Sequence, residues 1–151
     1  MEETVDMSTR DIFVVSAART AIGTFGGSLK DVPNTQMATT VVKAAIERAG
    51  IAAETVGHVV MGNVIPPETR DAYLSRVAAV ETPAYNVNRL CGSGLQAIVS
   101  AAQSIALGDC EVAIGAGSES MSRGPYFDQA SRWGARMGDA KSIDYMLGIL
   151  H

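Results

Sequence analysis

Chemistry in this 151-residue chain concentrates in one stretch, Asn88-Arg89-Leu90-Cys91-Gly92-Ser93-Gly94-Leu95-Gln96, which stands between a short extended piece and a long apolar run. The first turn of a helix leaves backbone N–H groups without partners and carries the positive end of the helix dipole, so a thiolate placed there is stabilised and available as a nucleophile. Gly92 and Gly94 take side chains away from that turn. A thioester can then approach the sulfur, and amide donors are exposed to a developing oxyanion. The arrangement suits acyl transfer from sulfur to sulfur. The other reading of Cys91 is a small buried hydrophobe, the ordinary fate of a free cysteine. Against it, Cys-Gly-Ser-Gly gives up helix propensity for no packing gain.

The elements that must hold this stretch read as alternating strands and helices. Ile12-Phe13-Val14-Val15-Ser16 has the composition of a strand buried on both faces. Residues 17–28 are broken repeatedly by glycine and read as a loop. Pro33 bars backward extension of a helix that Asn34 or Thr35 can cap, and Gly50 ends it. Val56 to Val64 is the next strand, stopped by Pro66-Pro67. Arg70 to Val80 reads as a helix of about three turns, and Pro83 to Asn88 as an extended piece. Cys91 to Leu107 is strongly helical, with Leu95, Ile98, Val99, Ala102, Ile105 and Ala106 making it apolar on nearly all sides. That helix is therefore expected to be the most buried one. Glu111 to Gly115 is a last buried strand. This order argues for a largely parallel sheet with helices on its faces. From Ser118 to Asp144 the periodicity is weak, and the segment reads as an irregular excursion.

Composition removes several function classes. Apolar residues make up 47% and charged residues 19%, which can build a core and does not describe a disordered tail. Twelve basic against sixteen acidic residues give a net charge of −4 with no basic stripe, so nucleic acid is not an expected partner. No apolar run is long enough for a membrane span, and no signal peptide or transit peptide pattern is evident, so a cytoplasmic protein is expected. Two cysteines make no disulfide framework. Cys110, at a helix-to-strand turn, reads as a core thiol, and His58, in a strand, as a structural or surface residue. No metal site is expected. Gly115-Ala116-Gly117 is only a partial dinucleotide fingerprint and reads as small residues at a tight strand exit. Arg123, Arg132, Arg136 and Lys141 form a mild basic cluster that could meet phosphates or simply face solvent.

Residues 88–97, ending Gln96-Ala97, resemble the active-site cysteine signature of the thiolases. Other stretches agree in order along the chain: Ala18 to Lys30 with the family's first loop, Met61-Gly62-Asn63-Val64 with its second strand, Gly115 to Ser122 with the strand exit, and Arg132 to Asp139 with the start of its loop domain. The resemblance runs from Asp11 to His151. Its wording is closest to the acetyl-CoA acetyltransferase and β-ketothiolase branch, and fits less well with a neighbouring condensing enzyme such as a ketoacyl synthase. It implies a thiolase-like N-terminal α/β half, with a mixed, mainly parallel sheet and helices on both faces, plus the start of an irregular loop domain. The expected divisions are a flexible extension at 1–11, an α/β domain at 12–120 and a CoA-binding and tetramerisation loop domain beginning at 121–151.

The implied activity is acyl-CoA C-acyltransfer with the acyl group carried on Cys91, using coenzyme A thioesters as substrates and no further cofactor. Leu150 falls where the family has an apolar contact to the pantetheine arm. Tyr126, Phe127 and Trp133 lie in a region the family uses for association into dimers and tetramers. The family's activating His, water-binding Asn and second catalytic Cys belong to a second half that nothing here matches, His151 being the last residue in the sequence. Two readings follow: the N-terminal part of an oligomeric thiolase, or a non-catalytic thiolase-like fragment that needs a companion chain. In either case the absent half should leave apolar surface uncovered on the Cys91 helix or the sheet. A second departure falls between Val80 and Glu81, where the family has a short glycine-containing turn. Either Glu81-Thr82 makes a tighter connection or residues are missing there.

Overall fold

The computed structural model describes residues 10–79 and 81–150. Helix α1 (Asn34–Ala49) precedes strand β1 (His58–Gly62). A 3-10 turn over Thr69–Tyr73 runs into helix α2 (Leu74–Ala79), followed by strand β2 (Ala84–Val87), helix α3 (Ser93–Ala106) and strand β3 (Ala113–Gly117). The three strands form one parallel sheet in the order β2-β1-β3, with Met61 opposite both Asn86 and Ala116. Beyond it, β4 (Tyr126–Phe127) and β5 (Ile143–Asp144) pair antiparallel, and a short helix α4 (Tyr145–Leu150) follows.

Central position explains why β1 is apolar on both sides. Val59 and Met61 face Ala38 and Val42 of α1 and Leu74 of α2. Val60, pointing the other way, meets Ala97 and Ala101 of α3. Alternation along one strand thus puts helices on both faces of the sheet, as the order of elements requires.

Three expectations change. The residues of α3 that meet the sheet are its small ones, Ser93, Ala97, Ala101 and Ser104. The helix comes so close that a Cβ on Gly115 would lie 2.5 Å from the Ile98 Cα, and one on Gly62 2.6 Å from the Ser93 carbonyl carbon. At that distance only small side chains fit between, so the large ones turn outward: Leu95 is 70% exposed, Ile98 49% and Val99 43%. α3 does carry four buried residues, but all are small, and it turns its bulky apolar side chains outward.

Ile12–Ser16 forms no strand, and Val14 is 84% exposed. Its composition suits a sheet interior, but a strand exists only through its partners. The outer edge of β3 is unpaired among the described residues, and residues 12–16 do not pair with it but line the same cavity as β3. Neither Asn34 nor Thr35 caps α1, because Pro33 takes the cap position. Asn34 is fully buried and instead accepts a 3.1 Å hydrogen bond from the Ser118 hydroxyl.

The remaining differences are local. The 3-10 opening of the 70–80 segment follows from a reciprocal cap between Glu68 and Asp71. Residues 1–9, Val80 and His151 lie outside the described residues, and with them most of the expected N-terminal extension. At the shortened connection, the N–H groups of Glu81 and Thr82 both donate to the Ala79 carbonyl, at 2.8 and 3.3 Å, a tight turn leading into β2.

Candidate active site

Cys91 lies in the turn between β2 and α3, two residues before the first residue of the helix, and it is exposed. The turn is held by short-range hydrogen bonds. The Ser93 hydroxyl donates to the Leu90 carbonyl at 2.6 Å and accepts the Arg89 N–H at 2.8 Å, while the Ser93 N–H donates to the same carbonyl at 3.0 Å. Asn88 Oδ1 accepts the Leu90 N–H at 3.0 Å. The Arg89 guanidinium donates to the Gln96 amide oxygen at 2.8 Å, bridging the turn to the first part of the helix. Leu90 carries φ +50°, a left-handed conformation that is uncommon for a branched residue.

This turn opens onto a cavity of about 900 Å³ whose walls include Cys91, Ser93, Gly94 and Glu119. Glu119 is the one charged residue in the stretch from Val112 to Ser122. Its carboxylate accepts the N–H groups of Val64 and Ile65 and the Asn63 amide, and Asn63 also donates to the Ser118 carbonyl at 3.0 Å. The loop after β1 is thereby tied to the exit of β3. Partial withdrawal from water pushes the Glu119 carboxyl above its ordinary value. The Val64 and Ile65 N–H groups and the Asn63 amide oppose that rise, and the charge of Asp71 adds to it.

The other sequence candidates lie apart from this turn. Leu150 ends α4, 67% exposed, and is not part of the cavity wall. Cys110 is half-buried, and burial, with the charges of Asp109 and Glu111, pushes its thiol up. His58 packs edge-on against Tyr85 with ring centroids 5.4 Å apart, a structural role. Arg123 leaves the basic cluster by pairing with Glu68, while Arg132, Arg136 and Lys141 face solvent. Tyr126, Phe127 and Trp133 are exposed. Gly115 and Gly117 serve close helix approach. Among the described residues, no group of three His, Cys, Asp or Glu side chains is placed to hold a metal ion, and no helix is long and apolar enough to cross a membrane.

A thiol at the head of a glycine-rich helix start, behind a parallel βαβ unit, is the feature that comparison with known proteins tests. The family model described as "Thiolase, N-terminal domain" matches residues 12–150. The chain belongs to the thiolase N-terminal domain family. It is 63% identical over 149 residues to the β-ketothiolase BktB of Cupriavidus necator, a match covering 95% of this chain and 38% of that protein. It is 42% identical over 146 residues to the human mitochondrial 3-ketoacyl-CoA thiolase, covering 93% and 37%. The crystal structure of that human enzyme superposes with a TM-score of 0.86 at 41% identity, covering 91% of this chain and 37% of the other. The chain thus spans little more than a third of the thiolases it matches.

Three residues that hold the walls of the site were not visible as such in the sequence. Glu119 had a signal, a lone charge in a stretch of small neutral residues. Asn34 was legible only as a helix start. Asn88 stood three residues before the cysteine, but its amide also donates to the Val64 carbonyl at 3.3 Å, more than twenty positions away.

Proposed function

We propose that this chain is the N-terminal portion of an acyl-CoA C-acyltransferase of the thiolase type, with Cys91 as the residue that carries the acyl group. The observation that carries the reading is the exposed Cys91 sulfur on a constrained turn at the head of α3, facing an open cavity. In the reaction, the Cys91 thiolate attacks the thioester carbonyl carbon. The tetrahedral oxyanion collapses, the carbon–sulfur bond to coenzyme A breaks, and the leaving thiolate takes up a proton. This leaves an acyl-Cys91 thioester for attack by the α-carbon of a second acyl-CoA. Leu150 serves as an apolar contact for the pantetheine arm. Acyl-CoA is the small-molecule partner. Relatives carry both "mitochondrial" and "cytosolic" in their names, and we take this protein to be cytoplasmic.

A second reading, a chain that is not catalytic without a companion, draws on a different observation. Leu95, Ile98 and Val99 on α3 are uncovered, and among the described residues neither His58 nor Cys110 lines the cavity that Cys91 faces. The two readings meet in one expectation: the reactive thiol is present, but turnover needs the groups that neighbouring chain supplies. Nucleophile activation and proton transfer at the α-carbon each contribute about 10²–10⁴-fold. Timed alkylation with iodoacetamide and peptide mapping by mass spectrometry should label Cys91 well ahead of Cys110. The isolated chain should form no 3-ketoacyl-CoA over many turnovers. Equal labelling, or preference for Cys110, overturns the assignment of Cys91; sustained condensation overturns the need for a companion.

A further inference from the structure

A left-handed residue just before a nucleophile is a conformation that something must hold, because Leu90 at φ +50° would otherwise relax. Three links lead away from it. Asn88 Oδ1 accepts the Leu90 N–H at 3.0 Å. At its other end, Asn88 Nδ2 donates to the Val64 carbonyl at 3.3 Å. Val64 is in turn clamped by Glu119, whose carboxylate accepts the N–H groups of Val64 and Ile65 and the Asn63 amide. The chain of contacts therefore runs from the exit of β3, through the loop after β1, to the turn after β2. The C-terminal ends of all three strands of the sheet meet behind one sulfur.

We propose that Asn88 and Glu119 are positioning residues for Cys91: Asn88 holds Leu90 in its left-handed conformation, and Glu119 fixes the Val64 carbonyl that Asn88 needs as its anchor. This rests on the reading of Cys91 as the nucleophile and adds to it. Neither side chain carries the acyl group. Asn88 suits its task because an amide offers a donor at one end and an acceptor at the other. Glu119 suits its own because a carboxylate is acceptor-only and can take several N–H groups at once. With the clamp broken, Leu90 relaxes toward negative φ, and Cys91 swings away from the axis of α3 and the favourable field at its N-terminal end.

The test uses the 151-residue chain and the rate of Cys91 alkylation by iodoacetamide as a function of pH, with Cys110 in the same sample as an internal reference for unfolding. Asn88→Ala should slow Cys91 at neutral pH by about threefold to tenfold, the scale of a charge interaction at a helix end, and move its pH–rate midpoint upward, with Cys110 unchanged. A wild-type Cys91 rate and midpoint in Asn88→Ala, with Cys110 also unchanged, overturns the proposal. Faster Cys110 labelling in Asn88→Ala would mean the fold has opened. Glu119→Gln then decides: a slowed Cys91 over a steady Cys110 supports the clamp, and an unchanged Cys91 refutes it. A wild-type chain whose Cys91 labels no faster than Cys110 fails earlier, and overturns the nucleophile reading itself.

Discussion

Asp71 shows how one buried carboxyl can be both structurally used and electrostatically costly. It is 2% exposed, and its Oδ2 accepts the Glu68 N–H at 3.0 Å at the start of the 3-10 turn. Burial pushes its pKa above the ordinary value of 3.8. A carboxyl whose folded pKa is raised favours the folded state most when protonated. That contribution is complete below pH 3.8 and is lost as pH rises through the raised value. Asp71→Asn keeps an acceptor for Glu68 and cannot ionise. Fitting its NH2 group carries a cost that does not vary with pH, so the informative quantity is a trend. The stability of Asp71→Asn relative to the parent should increase from about pH 4 to neutral pH, measured by urea unfolding at both ends. A flat or falling difference would show that the Asp71 charge is compensated in the fold. Cys91 was legible because its glycine-rich setting is local, within four residues. Glu119 and Asn34 act across 55 and 84 positions, and no reading of neighbours in sequence reveals such partners.

At the scale of elements, the packing of α3 rests on what two strands omit. Gly115 faces the Ile98 Cα at 2.5 Å, the Ile98 nitrogen at 2.8 Å and the Ala97 carbonyl oxygen at 2.9 Å from where a Cβ would stand. All three are backbone atoms and cannot rotate away. Gly115→Ala should therefore push α3 off the sheet and cost roughly 1–3 kcal/mol. Gly94, in the first turn of the same helix, has nothing within 4 Å of its would-be Cβ. There Gly94→Ala should be neutral or stabilising, by up to about 1 kcal/mol, because alanine has less backbone freedom to lose. Chemical unfolding of both variants checks the pair, and a Gly115→Ala variant as stable as the parent would mean the sheet and helix can separate freely. The same close approach explains which features of α3 were legible. Its length and position followed from helical spacing, with the last strand found two residues further on than expected. Which face is buried did not follow, because hydrophobic periodicity assumes that the bulky side chains point inward. Glycines on the opposing strands reverse that choice, and their effect appears only once the strands are paired. Ile12–Ser16 carries the complementary lesson: composition described the interior of a sheet, but a strand exists only where its backbone pairs with a neighbour, and residues 12–16 pair with none among the described residues.

For the molecule as a whole, the outward turn of α3 predicts association. Leu95 and Val99 stand four residues apart on one exposed face, with Ile98 between them, and Phe13, Val14 and Val15 add further uncovered apolar surface. Apolar surface gathered on one helix face is unusual for a protein that remains monomeric and marks a place where another surface belongs. A net charge of −4 over 151 residues offers little repulsion to prevent self-contact. The chain spans 38% of the length of the β-ketothiolase of Cupriavidus necator that it matches, and in a protein of that length the remainder is available to cover this face. In its absence, sedimentation velocity should show concentration-dependent association of the 151-residue chain. The combined substitution Leu95→Glu and Val99→Lys separates the cause from charge. It leaves the net charge at −4, places a favourable Glu-to-Lys pair one turn apart on the helix, and removes two exposed apolar side chains at a cost within about 0.5 kcal/mol of stability. The doubly substituted chain should sediment as a monomer across the range in which the parent associates. A parent chain that is already a monodisperse monomer would show that α3 needs no cover. A variant that associates as strongly as the parent would move the sticky surface elsewhere, with Phe13 to Val15 the next place to substitute.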